Sequence, residues 1–195
     1  MLFNRDKIIL DLCGGTGLWS KPYKEAGYDV RLITLPEQDV TDYIPPKNIW
    51  GILAAPPCTM FSLARTRAKL PRDFVEGMIP VNACIRIAVT SKPKFFALEN
   101  PIGLLSKFLG KWQYDFHPWW FGDPWTKRTA LWGWFNKPKR KYNIIEDVMT
   151  REQIERCKNN NRKLPSISDF TGSTQSAKRA ITPQGFAKAF FQANQ

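Results

Sequence analysis

Cys58 stands just past Pro56 and Pro57, where the apolar run NIWGILAA (48–55) gives out. The prolines restrict the backbone, so the sulfur has a defined place in a loop. A cysteine held this way suits covalent catalysis. The plainer reading is a buried structural thiol, the common fate of cysteine, and Cys13, Cys84 and Cys157 are read in that plainer way. Glu99 and Asn100 close a second apolar run, KFFALEN (94–100). Desolvation there favours a protonated carboxyl, which can hold or deliver a proton near neutrality. The alternative for Glu99-Asn100-Pro101 is a helix start, with Asn100 as cap and Pro101 in the first turn. Lys127 and Arg128 precede a third run, TALWGWF (129–135), and are otherwise a solvated basic pair. DLCGGTG (11–17) is a glycine-rich turn that lets backbone approach a ligand closely. It has neither the dinucleotide fingerprint nor the Lys-Ser/Thr of a P-loop. The single histidine, His117, leaves little room for Ser-His or Cys-His schemes.

These residues need elements to place them. KIILDLC (7–13), YDVRLITL (28–35), 48–55 and 94–100 read as buried strands. KWQYDFHPWWFG (111–122) and 129–135 read as a further strand pair. LWSKPYKEAG (18–27) predicts a helix stopped at Gly27. Residues 71–89 predict a second helix, with Phe74, Met78, Val81 and Ile85 on one face and a kink or split at Pro80. A helix around 150–158 and another opened by Thr182 and Pro183 complete the pattern. Strands alternating with helices predict an α/β domain with a mostly parallel sheet and a ligand crevice at the strands' carboxyl ends. The expected organisation is a catalytic core over 1–135, a small, irregular basic insertion over 136–180, and a C-terminal helix over 181–195 that returns to the core.

The chain of 195 residues carries a net charge of +12, which favours a polyanionic partner, nucleic acid before an anionic membrane. The 43% hydrophobic content argues against disorder. The four cysteines form no C-x-x-C pair, so neither a zinc site nor a disulfide framework is expected. No secretory or membrane-spanning run is read, and the expected setting is reducing and cytoplasmic, with the protein a monomer.

DLCGGTG, APPCTMFS, ENP, GDPWTKRT and the helix ITPQGFA, in that order, resemble the DNA cytosine-5 methyltransferases, in a compact, phage-like form. The resemblance runs from Leu10 to about Ala193. It implies a Rossmann-like, class I methyltransferase sheet, S-adenosylmethionine as donor, S-adenosylhomocysteine as product, and double-stranded DNA with its target base flipped out. By resemblance Cys58 is the nucleophile that adds to carbon 6 of cytosine. Glu99 grips ring N3 and the exocyclic amine, and Asn100 and Pro101 set the loop. Asp11, Cys13, Gly14, Gly15, Thr16 and Gly17 match the loop around the donor's methionine half, with Leu18 and Trp19 beside it. Asp39 matches an acid that meets the adenine amine, and Pro56 and Pro57 line the floor near the sulfonium. Ser62, Arg65, Arg67, Lys69 and Arg72 in the catalytic loop, with Lys178 and Arg179, are expected on the nucleic acid.

The chain departs from that pattern in four places, the first being that the family's helix between the second and third strands has no room here. Thr34 or Leu35 ends the second strand where the family carries an acid for the ribose hydroxyls, with Glu37 nearby as a substitute. Trp125, Lys127 and Thr129 stand at the Gln-x-Arg-x-Arg element, so Lys127 or Arg128 is expected in the arginine role. The recognition region is short, which predicts phosphate contacts over base contacts and a relaxed target sequence. Other readings are a relative that binds DNA without chemistry, the same chemistry on RNA, and transfer of a different group.

Overall fold

In the computed structural model the residues described are 3–63, 65, 70–159 and 181–195. Six strands form one sheet: β1 (Ile8–Leu12), β2 (Asp29–Ile33), β3 (Ile49–Ala54), β4 (Phe95–Pro101), β5 (Tyr114–Phe116) and β6 (Thr129–Trp134). Their order is β2-β1-β3-β4-β6-β5. The first four are parallel. β6 runs antiparallel to β4 and β5 antiparallel to β6.

The strand sequences alternate between two cores, as the two-residue period of a sheet covered on both faces requires. Leu10, Leu12, Ile52, Ala54, Phe96, Leu98 and Trp132 face one cluster. There they meet Val81, Cys84, Ile87 and Ala88 of α2 (Phe74–Ser91). Ile9, Leu53, Phe95, Ala97 and Leu131 face the other. There they meet Trp19, Tyr23 of α1 (Lys21–Glu25), and Phe186 and Phe190 of α5 (Gln184–Ala193). Phe186 stacks on Phe116 with ring centres 3.8 Å apart. Of two further helices, α3 (Ser106–Leu109) packs Leu109 against the first cluster, and α4 (Arg151–Asn159) follows β6 in the chain.

Several expectations shift. α1 starts at Lys21 instead of residue 18, because Gly17 holds a φ of +68° and Pro22 suits the first turn. α2 is continuous through Pro80. The proline removes one helical donor, but the packed row Val81, Cys84, Ile87 and Ala88 holds the helix on the sheet. Asp73 caps its start by accepting from the Glu76 N–H at 2.9 Å. By length and composition α2 could cross a membrane, yet this row is buried and Glu76, Asn82 and Thr90 are exposed. β5 spans three residues, and Pro118–Phe121 form a 3-10 turn where a strand was expected, since Pro118 has no N–H for a ladder. Asn100 and Pro101 lie within β4 and cap no helix.

Candidate active site

The parallel strands β1, β3 and β4 end at one edge of the sheet. β6 reaches that edge by its start, because it runs the other way: Pro101 pairs with Thr129 and Asn100 with Ala130. The edge therefore collects the residues after β1, after β3, at the end of β4 and before β6. Between them lies a cavity of about 470 Å³.

Cys58, Pro56 and Pro57 form one wall. The Ala55 N–H continues the ladder to Leu12 O at 2.9 Å, so the prolines begin where strand pairing stops. Cys58 O accepts the N–H groups of Phe61 and Ser62 at 3.0 and 2.8 Å, which closes a tight turn. Glu99 and Lys127 stand in the same cavity, with Lys127 Nζ 3.9 Å from Glu99 Oε1 and both side chains about 15% exposed. Glu99 Oε2 is buried with no partner, a carboxylate oxygen available to a ligand donor. Asn100 is buried and donates from Nδ2 to Pro56 O at 3.1 Å. It thereby ties the end of β4 to the loop that carries Cys58.

The glycine-rich loop forms the far wall through Asp11, Cys13, Gly14, Gly15 and Trp19. Asp11 has no exposed surface. Its Oδ2 accepts from Ser20 Oγ at 2.5 Å, and its Oδ1 has no partner. Burial pushes its carboxyl up to about 6, against the opposing effect of Ser20. A side chain at Gly14 would put Cβ 2.2 Å from Asp11 Oδ1, so the cradle requires glycine there. Cys13 takes a left-handed φ of +57°. The hydrogen bond from Cys84 pulls the Cys13 thiol down against burial, while the same pairing and burial push Cys84 well up.

A second cavity, of about 580 Å³, adjoins the first and shares Cys13, Pro57 and Thr59 with it. Thr34, Leu35 and Asp39 line it from the β2 side and Glu76, Ile79 and Pro80 from α2. Asp39 Oδ1 accepts the Thr41 N–H at 2.9 Å. Glu37 is exposed and outside this lining, whereas Glu76, unforeseen from the sequence, is within it. The unpartnered Asp11 oxygen belongs to a residue lining the first cavity, and Thr34, Asp39 and Glu76 line the second.

Other expected residues lie elsewhere. Thr16, Gly17 and Leu18 line a separate groove with Ser20, Lys21 and Lys24. Arg128 is outside the cavity and more than half exposed, with Nε 2.8 Å from Asp115 Oδ2. Burial raises the Asp115 carboxyl, but hydrogen bonds from Arg128 and Trp112 outweigh it and hold it below its usual value. Of the adjacent basic pair, Lys127 alone therefore faces Glu99. Ser62 and Arg65 line the cavity. Arg72 does not project as an unattached cation; it donates to Met60 O and Ser62 O. Arg67, Lys69, Lys178 and Arg179 lie outside the described residues. His117 packs against Trp119 and Trp120, away from the Cys58 cavity, and burial and the nearby Arg128 charge lower its pKa. Pro101, expected to set the loop with Asn100, lines the cavity, and Thr59 and Thr182 line it without having been foreseen. Only the return of the chain before α5 brings Thr182 there, and a lone Thr before Pro carries no such signal. Among the described residues no group of three His, Cys, Asp or Glu gathers for a metal.

No family model matches the chain. A search of curated proteins finds it similar to the type II methyltransferase M.DdeI of Desulfomicrobium norvegicum, with 30% identity over 133 residues. The match covers 54% of this chain, and the chain spans 30% of that relative's length. The six-stranded mixed sheet fits a methyltransferase-like fold. The similarity, over about half of the chain, supports a methyltransferase family.

Proposed function

We propose that the protein transfers a methyl group from S-adenosylmethionine to carbon 5 of cytosine in DNA, through a covalent adduct at Cys58, on a Rossmann-like class I methyltransferase sheet. One observation carries this reading: Cys58 and Glu99 share a single cavity with the glycine-rich loop after β1. Thiol, carboxylate and donor cradle are the three parts the reaction needs, and they come from three different strand ends.

Carbon 5 of cytosine is a weak nucleophile. The Cys58 thiolate bonds to carbon 6, and the displaced electron pair makes the ring enamine-like at carbon 5. Glu99 holds ring N3 and the exocyclic amine, with Lys127 fixing its other oxygen. S-adenosylmethionine supplies an electrophilic methyl on its sulfonium and leaves as S-adenosylhomocysteine. Carbon 5 takes the methyl and then loses its proton to a base. The electron pair of that C–H bond restores the carbon 5–carbon 6 double bond, and the S–C bond breaks with its pair returning to Cys58. Asp11 faces the donor's ammonium, and Thr34, Asp39 and Glu76 meet its ribose and adenine. The base leaves the duplex stack to reach the cavity, since Cys58 cannot reach carbon 6 inside a helix.

A duplex carrying 5-fluorocytosine tests this directly. Fluorine cannot leave carbon 5 as a proton does, so the adduct should persist as a denaturant-resistant protein–DNA species with the ring on the Cys58 peptide. Cys58→Ala should give none. Absence of the species from folded protein that binds the donor would overturn the proposal.

A further inference from the structure

The turn after Cys58 has three successive carbonyl groups that take donors from beyond the turn, with Ser62 O also accepting the Arg65 N–H at 3.4 Å. Phe61 O accepts the Leu104 N–H at 2.9 Å. Met60 O and Ser62 O, on either side, are both taken by Arg72, from Nη1 at 2.7 Å and Nη2 at 2.9 Å. The guanidinium fork spans the two carbonyls with parallel donors, a geometry that a lysine cannot copy. The rest of the turn is wedged from two sides. Ser62 forms a bridge to Gly103, where an added Cβ would sit 2.5 Å from Phe61 O. At Gly77 an added Cβ would sit 2.8 Å from Met60 Cβ. Phe61 is fully buried between Phe74 and Phe108.

Phe61 anchors the middle of the turn, and Asn100 anchors the loop before it through Pro56. Arg72 is what joins the two flanks of Phe61 into one rigid unit beneath Cys58, whose own carbonyl closes the turn. We propose that Arg72 is a positioning residue, a bidentate latch that holds the Cys58–Ser62 turn in its reactive geometry, and not a phosphate contact. The inference rests on the proposed role of Cys58 as nucleophile. Loss of the latch leaves the fold standing, because Phe61 stays buried, but it frees the turn to drift. An ångström of drift at a reacting atom costs about a hundredfold in rate.

The test compares the full chain with Arg72→Ala and Arg72→Lys in three measurements: turnover, DNA affinity against salt, and hydrogen exchange of the Phe61, Ser62 and Leu104 amides. Arg72→Ala should lose about a hundredfold in kcat. KM for donor and DNA should move by less than about threefold, as expected when ground-state binding is untouched. The slope of log affinity on log salt should stay constant, exchange at the three amides should rise, and added methylguanidinium should restore part of the rate. Arg72→Lys should fall between alanine and wild type, and it carries the test alone if the alanine variant does not fold. Retained kcat, with weaker DNA binding and a slope reduced by about 1, would make Arg72 a phosphate contact and overturn the proposal. If the wild type transfers no methyl group, the proposed function fails on its own, and hydrogen exchange still decides the latch. Protection unchanged in both variants would refute it.

Discussion

Asp11 is a carboxylate with no exposed surface, and burial lifts its pKa from 3.8 to about 6. The charged form is the one the fold disfavours. Its stabilising contribution is therefore complete below the unfolded value near 3.8 and is lost as pH rises through about 6. Asp11→Asn removes the titration and leaves Ser20 an oxygen to bond. The variant should gain stability over wild type progressively between about pH 4 and pH 7, approaching about 3 kcal/mol, and the gap should stay flat above that. Urea unfolding at a series of pH values checks both the sign and the plateau. The neighbouring residues show how much chemistry can be read in a bare sequence. That Cys58 and Glu99 would meet at one sheet edge was legible because each stands at the close of an apolar run, and strand ends in an α/β sheet converge. Lys127 and Arg128 were not separable. They are adjacent, equally charged, and differ only in which side of the chain they leave; one faces Glu99 and the other Asp115. Arg72 read as one more loop cation, because a hydrogen bond to a backbone carbonyl leaves no mark on composition.

The elements were easier to see than their joints. The buried strands stood out as apolar runs, and their centres agree with the sheet. The direction of β6 carries no sequence signal, yet it alone brings Lys127 to the edge. The start of α5 is a second case. Pro183 precedes the helix and offers no side-chain cap. Asp123, distant in sequence, supplies one by accepting the Gly185 N–H at 3.0 Å from a nearly buried position. A Cβ at Gly185 would sit 2.2 Å from Phe121 O, so this junction fits only glycine. Asp123→Ala should cost about 1 kcal/mol through the lost cap, more if the Gly185 N–H stays buried without a partner. Thermal unfolding should show a lowered Tm. An unchanged Tm would mean that the aromatic packing of Phe186 and Phe190 holds α5 unaided.

Across the whole molecule, 29 basic residues outweigh 17 acidic ones. The described stretch after β6 adds exposed Lys137, Lys139 and Lys141. Arg140, in contrast, is laid over Trp119 and Trp120 at 4.8 and 4.2 Å. Charge of this kind reads phosphates and not bases. On the proposed reading, DNA affinity should fall steeply with salt, by about 0.9 log units per log unit of salt for each phosphate contacted. Methylation should spread over short or varied target sequences. Binding assays at several salt concentrations, with sequencing of methylated positions on mixed templates, check both. Methylation confined to one long site would contradict the relaxed specificity. The central claim is that Cys58 attacks cytosine and carbon 5 receives a methyl group. Its most direct test is nucleoside mass spectrometry on DNA from cells expressing the wild type and, separately, Cys58→Ala. The account predicts new 5-methylcytosine with the wild type and none with the variant. No modified cytosine from folded wild-type protein, or equal amounts from both, would contradict it.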